Sequence, residues 1–272
     1  MKKDNNHFIS LCSDTTFKYL LKKEETRNWI LEIIERKTGI DLNEFQIIDN
    51  ESNTGNNIKD YRMDLVFEKD NTVVIVEMTN SDKEADTVKN YQYLYRNQSR
   101  RFMEGEEYTE KRTILILFNH FKNLENPNLL DAHFTFNDYK NHLLIKDIES
   151  FEIYLPNYKK TCYDEYNEIG RRLVLFNANS FEEMESMTQD SSDLKIIKEL
   201  KDLSMDEVFL TEYEKERMQE KLVNSAFKEG MDKGEKNKQI EIAKSMLEDE
   251  ESLERISKYT GLSIEEIKNI SE

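Results

Sequence analysis

The chain has 272 residues, 37% hydrophobic and 35% charged, with only 7 Gly and 2 Pro and a formal net charge of −17. This length and composition suit one substantial domain with an appendage, or two small domains, with a true core and a heavily charged helical surface; long unstructured linkers are excluded. A uniformly basic, phosphate-tracking surface is excluded too, but the charge is uneven. Residues 1–150 hold 21 Lys+Arg against 27 Asp+Glu, while residues 151–272 hold 18 against 29. Most of the excess acid lies in the C-terminal part, so a local phosphate-binding patch nearer the N-terminus is compatible with the total.

Cys12 and Cys162 are far apart and unaccompanied by a Cys/His cluster. They read as free thiols of a reducing compartment, against a disulfide or a zinc site. No apolar run approaches a membrane span, Ile114–Phe118 being among the longest, and Met1–His7 lacks the apolar core of a signal peptide. The expected location is the cytoplasm.

In chain order, Ser13–Leu21 predicts a helix start, with Ser13 or Asp14 able to cap free amides. A second helix is predicted over about Thr26 to Lys37, where Trp29, Ile30, Ile33 and Ile34 recur at helical spacing before Gly39. Phe45–Ile48 is a short strand candidate, and the polar Ser52–Ile58 a loop. Tyr61–Thr79 then reads as a β-hairpin turning at Asp70-Asn71. Period-2 alternation puts Arg62, Asp64 and Val66 on one face of its first strand, and Val73, Ile75, Glu77 and Thr79 on one face of its second. A carboxylate sharing a face with valine and isoleucine is costly unless it is paired or binds a cation. Pairing of Glu77 with Arg62 or a lysine is the plain alternative to a site.

A long helix is expected from about Asp82 to Met103, ending at Gly105, with Lys89, Arg96, Arg100 and Arg101 on it. Arg96 and Arg100 are one turn apart and suited to phosphates, or else are solvated charges paired with nearby Glu. Strands are predicted at Arg112–Phe118, Ala132–Asn137 and Phe151–Leu155. Helix, strands, helix, strands is an α/β order. Beyond it, Tyr163–Asn177 and Asp193–Leu200 are predicted helical, and Glu212–Leu247 a long charged helix interrupted at Gly230 and Gly234. These two glycines match no phosphate-cradle spacing. Ser252–Ile270 predicts a helical hairpin in which Gly261 stops one helix and Ser263 with Glu266 boxes the next. Its second helix is short and acidic, which suits packing or self-association better than reading DNA.

Two acids on adjacent strands, Asp64 and Glu77, form a site for a hard divalent cation, and a cation so held suits phosphodiester cleavage. Two-strand acid pairs followed by a helix are the working part of the PD-(D/E)XK nuclease superfamily, and the separation of Asp64 from Glu77 fits a short hairpin. The chain further resembles the recombination-promoting nuclease (Rpn) family, also described as PD-(D/E)XK nuclease family transposases. The resemblance runs through Asp14-Thr-Thr-Phe-Lys18, Arg62-Met-Asp64, Val74-Ile-Val-Glu-Met78, Tyr95-Arg-Asn-Gln98 and Gly105-Glu-Glu-Tyr108. It continues in Gly230–Gly234, Ile242–Leu247 and Thr260-Gly-Leu-Ser263, so that it covers nearly the whole chain, in order.

That resemblance implies an α/β fold with a PD-(D/E)XK restriction-endonuclease-like core, a central mixed sheet flanked by helices, over about residues 1–160. An acidic all-α extension over residues 161–272 would follow. It implies a bacterial, metal-dependent DNA endonuclease, linked to recombination and with little sequence preference. Asp64 and Glu77 would be ligands of Mg²⁺ or Mn²⁺, and Asp14 would lie near the site. The family usually carries Gln two residues after the second acid, where this chain has Thr79, whose hydroxyl has less reach. Thr79 would hold a water, or Lys83 or Lys89 would supply a positive charge from the following helix. The rival expectation is a catalytically degenerate protein of the same fold that binds a protein or DNA. DNA and a second copy of the chain, met through the C-terminal helices, are the expected partners.

Overall fold

Strands packed on both faces read as continuous apolar runs, and the two most apolar segments of this chain take the middle of a sheet. The computed structural model describes residues 7–48, 65–80, 112–123, 125–138 and 143–270. The six-stranded sheet is built from β1 (Gln46–Ile48), β2 (Leu65–Lys69), β3 (Thr72–Thr79), β4 (Arg112–Asn119), β5 (Asp131–Asp138) and β6 (Leu143–Tyr154). Their order is β1-β2-β3-β4-β6-β5. β3, β4 and β6 run parallel; β1 and β2 pair antiparallel to their neighbours, as does β5 against β6. The mixed α/β sheet flanked by helices is therefore as expected.

The β2–β3 hairpin closes through Lys69 opposite Thr72, with Asp70 at φ 51°. That left-handed conformation is one that Asp tolerates better than most side chains. Strand alternation divides the sheet residues between two faces. Leu65, Phe67, Val74, Val76, Met78, Ile114, Ile116, Phe118 and Ile153 enter the main core. Val66, Val73, Ile75, Leu115 and Leu117 form a second cluster on the other face. The predicted alternation in β3 is met: Val73 and Ile75 share this second face, and parity places Glu77 and Thr79 with them.

Helices α1 (Asp14–Lys22) and α2 (Glu24–Thr38) lie against the main core through Phe17, Leu20, Ile30, Ile33 and Ile34. Ser13 caps α1 by accepting from the Thr16 amide, and α2 stops at Gly39, at φ 73°, where a side chain would be strained. The predicted helix over 163–177 is shorter. A 3₁₀ turn at Lys160–Glu165 precedes α3 (Glu168–Val174), and a second turn covers Leu175–Asn177. Then come α4 (Phe181–Met187), α5 (Ser191–Leu203) and α6 (Glu207–Glu248). Leu173, Phe176, Met184, Ile196, Leu200, Phe209 and Tyr213 all join the main core. The chain consequently divides into compact units Met1–Tyr213 and Glu214–Glu272, a later boundary than the one near residue 160 expected from the end of the strands.

A buried Arg172 helps hold the helical layer together. It is 2% exposed and meets Glu32 of α2 at 2.7 Å, Asp193 of α5 at 3.1 Å and Glu168 of its own helix at 3.4 Å. Trp29 Nε1 and the Thr188 hydroxyl also donate to Asp193, at 2.7 and 2.8 Å. On another side, Lys37 and the buried Tyr158 hydroxyl both bond Asp131, and burial together with that carboxylate pushes the Tyr158 phenol well above its ordinary pKa.

The second unit contains most of α6, α7 (Leu253–Thr260) and α8 (Ile264–Ile270). α6 passes through Gly230 and Gly234 without the predicted interruption; glycine weakens a helix but does not forbid one. Ala243, Ile256, Leu262 and Ile267 make a small core. The predicted hairpin is present in detail. Gly261 takes φ 76°, the Ser263 amide donates to Glu266 Oε2 at 3.0 Å, and the Glu266 amide donates to Ser263 Oγ at 3.2 Å. The Ser263 amide, Lys236 and the Ser263 hydroxyl pull the Glu266 carboxyl down to about 2. Among the described residues no helix is long and apolar enough to cross a membrane.

Candidate active site

In open α/β sheets the carboxyl ends of parallel strands are where ligands collect, and here those ends are where polar side chains interrupt an apolar face. β3 ends in Glu77 and Thr79, β4 in Asn119, and β6 in Glu152 and Tyr154. The registers Glu77↔Leu117↔Glu152 and Thr79↔Asn119↔Tyr154 put all five on one face, in two rows. Glu77 is 3% exposed, and Thr79, Asn119 and Glu152 are also buried.

Glu152 is held in place. The Tyr154 hydroxyl donates to Oε2 at 2.5 Å, Asn119 Nδ2 donates to the same oxygen at 3.3 Å, and Asn123 Nδ2 donates to the Tyr154 hydroxyl at 2.9 Å. Asn119 Oδ1 is buried and accepts no hydrogen bond among the described residues. A buried amide oxygen left so costs about 1–3 kcal/mol.

Asp14 begins α1, and α1 begins beside the end of β3, because Asn80 Nδ2 donates to the Cys12 carbonyl at 2.8 Å. Asp14 thus lies at the same end of the sheet as Glu77. Its local role is clear: an acid in a first helical turn is favoured by the helix dipole, and it pairs with Lys18 at 2.6 Å. Burial raises the nearby Cys12 thiol far above its ordinary pKa, which makes it an inert core group.

Asp64 adjoins Leu65, which pairs with Val76 at the start of β2, but Asp64 itself lies outside the described residues, as do Arg62, Lys83, Lys89, Arg96 and Arg100. Among the described residues no group of three or more His, Cys, Asp or Glu side chains converges to hold a metal. The oxygen donors present, the Glu77 and Glu152 carboxylates and the Asn119 amide oxygen, are of the kind a hard cation takes. Asn119, Glu152 and Tyr154 escape sequence reading. Glu152 lacks the signal of Glu77, because by strand parity it shares a face with Ser150 and Tyr154 and reads as the polar side of an amphipathic strand; nothing local marks Asn119. The chain matches no protein family, no characterised protein and no solved structure.

Proposed function

We propose that the chain is a divalent-cation-dependent DNA endonuclease, hydrolysing phosphodiester bonds on a PD-(D/E)XK-like core. The observation that carries this reading is Glu77, a carboxylate 3% exposed at the end of a central strand, at the edge of an apolar face. Burying an acid there is costly unless donors or a cation receive it. Glu77 with Asp64 would hold Mg²⁺ or Mn²⁺, whose charge would polarise a phosphate and lower the pKa of water. Thr79, one turn of the pleat beyond Glu77, has a hydroxyl that both donates and accepts, and so orients a water beside the scissile phosphorus. Lys89 would supply a positive charge at the reacting phosphate, and Arg96 and Arg100 are the proposed phosphate contacts, which the acidic C-terminal part leaves to a local patch. The resemblance to recombination-promoting nucleases points the same way.

The test is cleavage of supercoiled plasmid by the full chain in Mg²⁺ and in Mn²⁺, beside Glu77→Ala and Asp64→Ala. Wild type is expected to nick or linearise the plasmid. Each variant should lose more than about 100-fold, beyond what an outer-shell change costs, with unchanged helix content. Cleavage by Glu77→Ala at the wild-type rate would sink the proposal.

A second reading, a degenerate nuclease fold that binds a protein or DNA without cutting, is favoured by one observation. Two residues after Glu77, where the resembled family carries Gln, this chain has Thr79, whose hydroxyl has less reach and no charge. It predicts no cleavage under either metal by folded protein.

A further inference from the structure

Only half of the Asn119 carboxamide is bonded. Its nitrogen donates to Glu152, while its oxygen, equally buried, receives nothing among the described residues. The orientation follows from that bond, in which the NH₂ group is the donor and a carboxylate oxygen of Glu152 the acceptor. Glu152 is in turn steadied by Tyr154 and, through it, by Asn123. β4 lies between β6, which carries Glu152, and β3, which carries Glu77. The nitrogen and oxygen of a planar carboxamide lie on opposite sides of its Cβ–Cγ axis. Holding the nitrogen toward β6 turns the oxygen toward β3, where the in-register neighbour is Thr79 and Glu77 stands two residues earlier on the same face.

We propose that Asn119 Oδ1 is an uncharged oxygen ligand for the divalent cation held by Glu77, and that Glu152 is the positioning residue that aims it. The proposal rests on the cation-dependent reading above. An amide oxygen is an ordinary ligand for a hard cation, and a carboxylate fixing a ligand's orientation is the usual outer-shell arrangement. The proposal thereby accounts for a buried carboxamide whose nitrogen is bonded and whose oxygen is not, which core packing alone does not.

The experiment is calorimetric titration of Mn²⁺ into the full-length protein and into Glu77→Ala, Asn119→Leu, Asn119→Ser and Glu152→Gln. Thermal unfolding without metal is measured alongside. Wild type is expected to bind and Glu77→Ala to lose binding. Asn119→Leu and Asn119→Ser should weaken Mn²⁺ at least tenfold with metal-free melting nearly unchanged. Glu152→Gln, which lets the carboxamide turn over, should weaken it by a smaller factor. Full Mn²⁺ affinity in a folded Asn119 variant, with binding still lost in Glu77→Ala, overturns the inference and leaves the nuclease reading standing. No Mn²⁺ binding by wild type overturns both. Should Asn119→Leu fail to fold, the serine variant carries the comparison.

Discussion

Replacing Arg172 with Met keeps most of the side-chain length and removes the charge, and the surroundings of Arg172 set the cost. Of its three carboxylate partners, Glu32 and Glu168 are 41% and 66% exposed and can return to water. Losing such pairs costs about 0–1 kcal/mol each. Asp193, only 5% exposed, cannot; among the described residues it keeps the Trp29 and Thr188 donors but no ion-pair partner. Stranding a buried charge this way costs about 3–5 kcal/mol. The guanidinium also lies 5.6 Å from the Trp29 ring centre, adding about 0.5–2 kcal/mol. Together these predict a loss of about 4–9 kcal/mol, or on the order of 10–30 °C in melting temperature for a unit of this size. Trp29 is the chain's single tryptophan and packs within this cluster, so guanidinium unfolding followed by its fluorescence reports the right unit. Pairing Arg172→Met with Asp193→Asn removes the stranded charge and should restore about 1–3 kcal/mol. A loss below about 1 kcal/mol in the single variant, or simple additivity in the double, would refute the reasoning.

Two further predictions concern the C-terminal unit. Glu266 has a folded pKa near 2 against an ordinary value of 4.5. Because the folded value is depressed, its contribution to the α7–α8 hairpin is fully present above about pH 4.5 and lost as pH falls through 2. Carboxyl-carbon NMR should place the Glu266 midpoint near 2; a midpoint at the ordinary value would remove the argument. A Cβ at Gly230 or Gly234 would touch nothing within 4 Å. Alanine at either should therefore stabilise α6 by about 0.5–1 kcal/mol, read as a higher melting point by circular dichroism, and a lower one would show that the glycines serve a bend.

Chain neighbours determined what could be read from the sequence. Ser13 capping α1, Gly39 closing α2, the Asp70-Asn71 turn and the Ser263–Glu266 box are contacts within a few residues, so they are written in the local order of side chains. The apolar runs of β3 and β4 announced their central positions because both of their faces are buried. Glu77 stood out as an acid at a core-facing position for the same reason.

Tertiary structure decided the rest, through partners distant in the chain. β6 begins at Leu143, well before the predicted Phe151, because pairing with β5 and β4 recruits polar residues with weak strand preference of their own. α3, α4 and α5 belong with the sheet because Leu173, Met184 and Leu200 reach the same core, which strand counting cannot reveal. Arg172 reads as an ordinary surface cation until the fold brings Glu32 and Asp193 to it. The row Thr79, Asn119, Tyr154 exists only because β3, β4 and β6 lie side by side in that register. Glu77 was visible from local alternation; Asn119, Glu152 and Tyr154 were placed with it by strand order, a long-range property that no local pattern encodes.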